Sequence, residues 1–151
     1  RDFCLSRGLG DVYKRQGIES LELVKCAMQT AQPDVVIVID ALAAAEPGRL
    51  FRTVQLSDSG IVPGSGVGNS RHEFSRRTLG VPVVAVGVPT VVDAFSLFRQ
   101  AELELDVPQG VMVTLQDVDA RVREMGRLIG YGCNLALHRS LSLGEIPAFL
   151  S

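Results

Sequence analysis

Two uninterrupted apolar stretches restrict the fold of this chain more than any other feature of its sequence. Residues 35–39 (VVIVI) are all β-branched, and residues 81–88 (VPVVAVGV) contain no charged side chain. Strands that are buried on both faces of a parallel sheet have this composition, because neither face alternates with polar residues. We therefore predict a central parallel strand at Val35–Ile39 and a second buried strand at Val81–Val88.

Helical spacing of apolar residues predicts the elements around these strands. A first helix covers Ser20–Ala31, and a capping pattern at Thr90 and Asp93 begins a second helix that ends near Ala101. A long third helix begins near Thr114. The remaining predicted elements are a half-covered strand near the edge of the sheet at 52–57 and a short helix within 71–80 (RHEFSRRTLG).

Helices that alternate with buried strands predict the α/β class, as a three-layer α/β/α sandwich with a mostly parallel sheet. In such sheets ligands bind beyond the carboxyl ends of the strands. Asp40, Asp58 and a turn at Pro89-Thr90 each follow a predicted strand. We therefore expect these residues to share one edge of the sheet, which is the candidate site.

Composition excludes several classes of partner. The chain has 151 residues with a net charge of −2, and no basic run indicates nucleic-acid binding. Its apolar runs are too short to span a membrane. The three cysteines, Cys4, Cys26 and Cys133, are scattered without a C-x-x-C pair, as in thiols of a reducing compartment. Composition thus favours a single cytoplasmic domain.

The glycine-rich segment 56–69 (LSDSGIVPGSGVGN) allows three interpretations. It lacks the third glycine of a dinucleotide-binding loop, since Asn69 stands in that place. Asp58-Ser59-Gly60 matches a pepsin-type triplet, but the pepsin fold is all β and this chain is rich in helical patterns. The residues alone favour a structural loop, in which Asp58 caps a turn and the glycines adopt positive φ.

The other candidate residues differ in how readily a structural role explains them. Asp40 directly follows five β-branched residues, where a carboxylate is costly to bury unless it is paired or hydrogen-bonded. A structural role and a functional role are therefore both open for Asp40. Asp93 is explained as part of a helix cap. His72 and His138 have no partner at the spacing of metal ligands.

Taken together, six segments resemble the bacterial spore germination protease family in unbroken order over residues 17–141. The segments are GIESLELV, PDVVIVIDALAA, QLSDSGIVPGSGVGN, LGVPVVAVGVPTVVDA, MVT followed by DVD, and GYGCNLALH. The resemblance implies an atypical aspartic endopeptidase that degrades small acid-soluble spore proteins in the spore core during germination. It implies a zymogen, a homotetramer, no cofactor, and a phosphorylase/hydrolase-like fold related to the hydrogenase maturation peptidases.

The family is thought to use two aspartates, and the resemblance places one of them at Asp40. The other lies in an upstream Pro-Asp-Ala-Leu-Gly-like segment that has no counterpart in this sequence. We therefore expect residues 1–16 to be an unrelated leader, disordered or artefactual. Residues 17–151 are expected to form an incomplete domain that is inactive alone.

The glycine-rich loop and the second strand end supply the expected substrate-binding or supporting residues. These are Asp58, Ser59, Gly60, Gly64, Ser65, Gly66, Gly68, Asn69 and Thr90. Two rival functions remain: a non-catalytic module that binds a peptide or an anion, and a metal-dependent peptidase of the maturation type. Direct binding of nucleic acid or membranes is not expected.

Overall fold

A computed structural model describes residues 12–65, 72–101, 110–142 and 144–145, with the backbone alone for 12–19 and 100. The helices and strands follow in chain order: α1 (Val12–Ala31), β1 (Val36–Ala44), β2 (Gln55–Ser57), α2 (Arg76–Leu79), β3 (Val83–Asp93), α3 (Ala94–Gln100), β4 (Met112–Val113) and α4 (Val118–Leu137). A 3-10 turn lies at Pro47–Arg49, between β1 and β2.

The sheet is built around β3. β1 pairs with β3 in parallel from Val36–Val83 to Ala44–Val92, whereas β2 and β4 pair with β3 antiparallel over two or three residues each. Most paired positions therefore belong to the parallel pair, and the predicted α/β class is confirmed. Within the described ranges β1 has one neighbour, so its predicted central position is wrong and β3 is the central strand.

β3 continues through the Pro89-Thr90 segment that was predicted to be a turn. Leu42 pairs with Pro89 and Ala43 with Val91, so Thr90 is an extra residue that forms a β-bulge. The Pro89 carbonyl accepts a hydrogen bond from the N–H of Phe51, at 2.9 Å. This hydrogen bond uses the carbonyl of Pro89, so the N–H that proline lacks is not needed for it.

Two apolar clusters lie on opposite faces of the sheet. One contains Leu21 of α1 and Val83, together with Phe74 and Leu79. The other contains Val88 with Phe51, and Met125 of α4 packs against it. Because side chains alternate along a strand, Val83 and Val88 point to opposite faces. Helices therefore cover the sheet from both sides, as the three-layer prediction requires.

The predicted helices are present with shifted boundaries. α1 ends at Ala31, as predicted, but begins at Val12 instead of Ser20. α3 begins at Ala94, and the Asp93 carboxylate caps it by accepting from the Ser96 N–H at 2.9 Å. Asp93 is therefore the cap residue itself and not a residue inside the helix.

None of the helices in the described ranges is long and apolar enough to cross a membrane.

Part of one face of the sheet is apolar and exposed. Ile37, Ile39 and Val84 are 37%, 56% and 37% exposed, and Leu56 on β2 is 73% exposed. Alternation and register place all of them on the same face as Val88, beyond the part that α4 covers. Burial of β1 on both faces was therefore predicted wrongly for its first half.

Gly87 and Leu42 interlock at the centre of the sheet. A Cβ added at Gly87 would overlap the Cδ1 of Leu42 and lie 2.7 Å from its Cγ. We expect Gly87→Ala to lower the free energy of unfolding by about 1–3 kcal/mol, as overpacking does. Leu42→Ala removes the clashing atoms, so the double variant should lose clearly less stability than the sum of the single losses. Urea unfolding of the three variants measures this coupling.

Gly126→Ala is the matched control for that experiment. No atom lies within 4 Å of a Cβ added at Gly126 in α4, and alanine is the better helix former. This variant should be as stable as the unsubstituted chain or more stable. Simple additivity of Gly87→Ala and Leu42→Ala would contradict the packing described above.

Candidate active site

Asp40 lies in the interior of β1 and not at its exit. The strand continues to Ala44, and Asp40 pairs with Gly87 of β3. Alternation places it on the same face as Val36 and Val38, which pack against the α1 cluster. Asp40 is half-buried. The prediction that it stands at a carboxyl end of the sheet is wrong, because the small residues after it keep pairing with β3.

The carboxylate of Asp40 has no hydrogen bond or ion pair with any residue in the described ranges. A structural carboxylate in a strand is expected to be paired or hydrogen-bonded. Among the described residues, none therefore occupies either oxygen of Asp40. This observation favours the functional interpretation of Asp40 over the structural one.

A row of three residues crosses the sheet at the level of Asp40. Gly87 pairs with Asp40 on one side and with Gln55 of β2 on the other. Paired residues share a face, so the side chains of Asp40 and Gln55 both stand on the α1 side of the sheet. Leu42 lies over Gly87 between them. The row thus presents an apolar side chain with a polar group on each side of it.

Asp58 lies far from Asp40. Because β2 runs antiparallel to β3, Ser57 pairs with Ala85, and the chain leaves towards the amino end of β3. Strand spacing and rise place Asp58 roughly 10 Å from Asp40 across the sheet and roughly 10 Å along it. A direct carboxylate pair between them is not formed, and the expected common edge is wrong.

Ser57 closes the turn at Asp58. The Ser57 hydroxyl oxygen accepts from the Ser59 N–H at 3.2 Å and lies 2.6 Å from the Ser59 hydroxyl. Asp58 is exposed, and none of the described residues bonds to its carboxylate. The cap predicted for Asp58 is therefore supplied by Ser57, which leaves the Asp58 side chain facing solvent.

Gly60 and Gly64 adopt positive φ, as predicted, at 97° and 72°. A Cβ at Gly60 would overlap the Phe74 carbonyl oxygen and lie 2.8 Å from the Ser75 Cβ, where Ile61 and Phe74 bridge. Gly64 occupies a turn that the Ser65 N–H closes on the Val62 carbonyl at 3.2 Å. Both glycines thus have structural roles. Gly66, Gly68 and Asn69 lie outside the described residues.

Thr90 is the bulged residue of β3 and is half-buried. Its carbonyl accepts a hydrogen bond of 2.6 Å from the Thr114 hydroxyl. It lies three residues beyond Gly87, or about 10 Å along the strand from the level of Asp40. A bulge commonly redirects a side chain near a site, but Thr90 is not adjacent to the Asp40 carboxylate.

No group of three His, Cys, Asp or Glu side chains in the described ranges is placed to hold a metal ion. Cys26 and Cys133 are both half-buried and are not in a disulfide. Gln55 was not predicted to be a site residue. No local pattern marks it, because its position opposite Asp40 depends on the pairing of β2 with β3.

The packing of Gly60 predicts a graded set of effects. Gly60→Ala should cost more than about 2 kcal/mol of unfolding free energy, because backbone atoms of Phe74 and Ser75 cannot move aside as a side chain can. Gly80→Ala should cost about 1 kcal/mol, the strain of positive φ alone, because φ is 80° there and no atom lies within 4 Å of an added Cβ. Gly48→Ala, with no atom within 4 Å, is the control and should change little. Thermal unfolding ranks the three, and equal losses would contradict this account.

Comparison with known proteins gives a consistent family. The germination protease family matches residues 8–107, about two thirds of the chain. A germination protease of Clostridium acetobutylicum is 36% identical over 170 residues, covering 89% of this chain and 52% of the relative. That of Clostridium tetani is 34% identical over 170 residues, covering 89% and 53%. That of Bacillus subtilis is 56% identical over 81 residues, covering 54% and 22%.

The chain spans about half the length of the Clostridium relatives it matches. The family match begins at residue 8 and so includes part of the predicted leader, while the proposed boundary at Gly17 stays a prediction. The length of the match and the identity to several relatives agree with the resemblance found in the sequence. This chain belongs to the germination protease family.

Proposed function

We propose that this chain is part of an endopeptidase that degrades small acid-soluble spore proteins during germination, with Asp40 as one of two catalytic carboxylates. Membership of the germination protease family supports the reaction class. The surroundings of Asp40 support its role, because a half-buried carboxylate without a hydrogen-bonding partner in the described ranges is not explained by a structural bond.

Peptide hydrolysis by two carboxyl groups divides the work between them. The ionised group removes a proton from water as the water oxygen attacks the scissile carbonyl carbon. The protonated group donates to the carbonyl oxygen or to the leaving nitrogen, so that the peptide bond breaks into a carboxylate and an amine. Two carboxyl groups at short range reach these different states because their repulsion raises the pKa of one of them.

The second carboxyl group in this proposal comes from the half of a germination protease that this chain does not match. Asp58 is a poor candidate, since β3 and roughly 10 Å along the sheet separate it from Asp40. The chain alone is therefore expected to be inactive. The complete enzyme is proposed to need no metal, to arise from a zymogen, to work as a homotetramer and to act in the spore core.

The glycine-rich loop is proposed to contact the substrate away from the scissile bond. Asp58, Ser59 and Ser65 are exposed on this loop, at the opposite end of β2 from the Asp40 row. A bound polypeptide that extends along the sheet reaches both places, because a few extended residues span about 10–15 Å. Thr90 would contact the same bound polypeptide on the other side of Asp40, towards the carboxyl end of β3.

Substitution at Asp40 tests the proposal in a complete enzyme. Residues 17–141 replace the matching segment of the Clostridium acetobutylicum relative, and cleavage of a purified small acid-soluble spore protein is followed by electrophoresis. Asp40→Asn should lower kcat by about 10²–10⁴-fold, since the amide cannot accept a proton from water. Asp58→Asn should leave kcat nearly unchanged, and Asp34→Asn, at an exposed position before β1, is the matched control.

The other possible outcomes of this experiment distinguish the proposed function from its rivals. Full activity of Asp40→Asn overturns the assignment of Asp40. Binding without any cleavage by the unsubstituted chimera favours a peptide-binding module, and loss of cleavage with a chelator favours the metal-dependent peptidase. If circular dichroism shows that the chimera does not fold, the corresponding aspartate is replaced in the relative itself.

A further inference from the structure

The row that contains Asp40 has a second polar residue. Gln55 stands across Gly87 from Asp40 on the same face of the sheet, and Leu42 covers Gly87 between them. Gln55 is exposed and makes no hydrogen bond with any described residue. Its amide is therefore not needed to hold β2 in place.

Asp40 and Gln55 stand two strand spacings apart. β1 and β2 are separated by β3, so the Cα atoms of the two residues are roughly 10 Å apart. An extended polypeptide over β3 on this face would stand about 10 Å above the sheet, as in stacked sheets, and both side chains point towards it. The isobutyl group of Leu42 gives such a chain an apolar floor.

The chemistry of Gln55 and Asp40 is complementary to an extended polypeptide backbone. A glutamine amide donates two hydrogen bonds and accepts others, so it can bind both the N–H and the carbonyl of one residue of an extended chain, which point to the same edge of that chain. A carboxylate accepts hydrogen bonds and protons only. A peptide held by Gln55 would thus present its other edge to Asp40, where the proton transfer takes place.

We propose that Gln55 binds the backbone of the polypeptide substrate and holds it in register against Asp40, over the floor formed by Leu42 and Gly87. This inference rests on the proposed function of Asp40. It assigns to Gln55 a contact with the substrate that forms before the chemical step and persists through it. Loss of that contact weakens substrate and transition state equally, which raises KM and leaves kcat unchanged.

The test uses the same chimera and substrate with Gln55→Ala and Gln55→Glu. One neutral hydrogen bond is worth about 1 kcal/mol, so Gln55→Ala should raise KM about fivefold with kcat unchanged. Gln55→Glu cannot donate and places a second negative charge near the Asp40 carboxylate, so its KM should rise further. The matched control is Gln116→Ala, at an exposed position before α4, which should leave both constants unchanged.

Stability separates a binding role from a structural one. Because Gln55 is exposed, its variants should unfold at the same urea concentration as the unsubstituted protein. Gln55→Thr, which favours a strand, replaces any variant that fails to fold. An unchanged KM in these variants overturns the inference while leaving Asp40 in its role. Full activity of Asp40→Asn would instead overturn the proposed function on which it rests.

Discussion

The backbone ladder between β1 and β3 determines where Asp40, the central candidate residue of this chain, stands. It runs from Val36–Val83 to Ala44–Val92 and sets Asp40 beside Gly87. The absence of a side chain at Gly87 lets Leu42 lie flat on the sheet there. Without that ladder and that gap, neither the row of Asp40, Leu42 and Gln55 nor the separation of the two apolar clusters would exist. The candidate chemistry thus depends on a pairing whose stability is set by packing.

The elements with strong local patterns could be predicted from the sequence. The apolar runs at 35–39 and 81–88, the stripe of α1 and the capping by Asp93 each arise from interactions within a few residues. The lengths of β1 and β3 could not be predicted in the same way. Asp40 and Pro89 weaken a strand locally, yet they stay in the sheet because neighbours on both sides of them are paired.

The candidate site was accessible to sequence reasoning only in part. An acid after five β-branched residues is conspicuous, so Asp40 was identified. Its position opposite Gln55 and its distance from Asp58 depend on the direction in which β2 joins β3. That direction is set by contacts between residues that are far apart in the sequence. The roles of Gly60 and Gly64 were foreseeable, because positive φ is a local property.

The exposed side of β1 has a consequence for the behaviour of the protein in solution. Asp40 carries the one charge among the residues of this strand, whose sequence is VIVIDALAA. Within the described ranges the strand also has a free edge. Unpaired apolar edges recruit strands from other molecules and grow into cross-β fibres, and a charge within them opposes this growth. The charge of Asp40 is therefore expected to oppose such growth at this edge of β1.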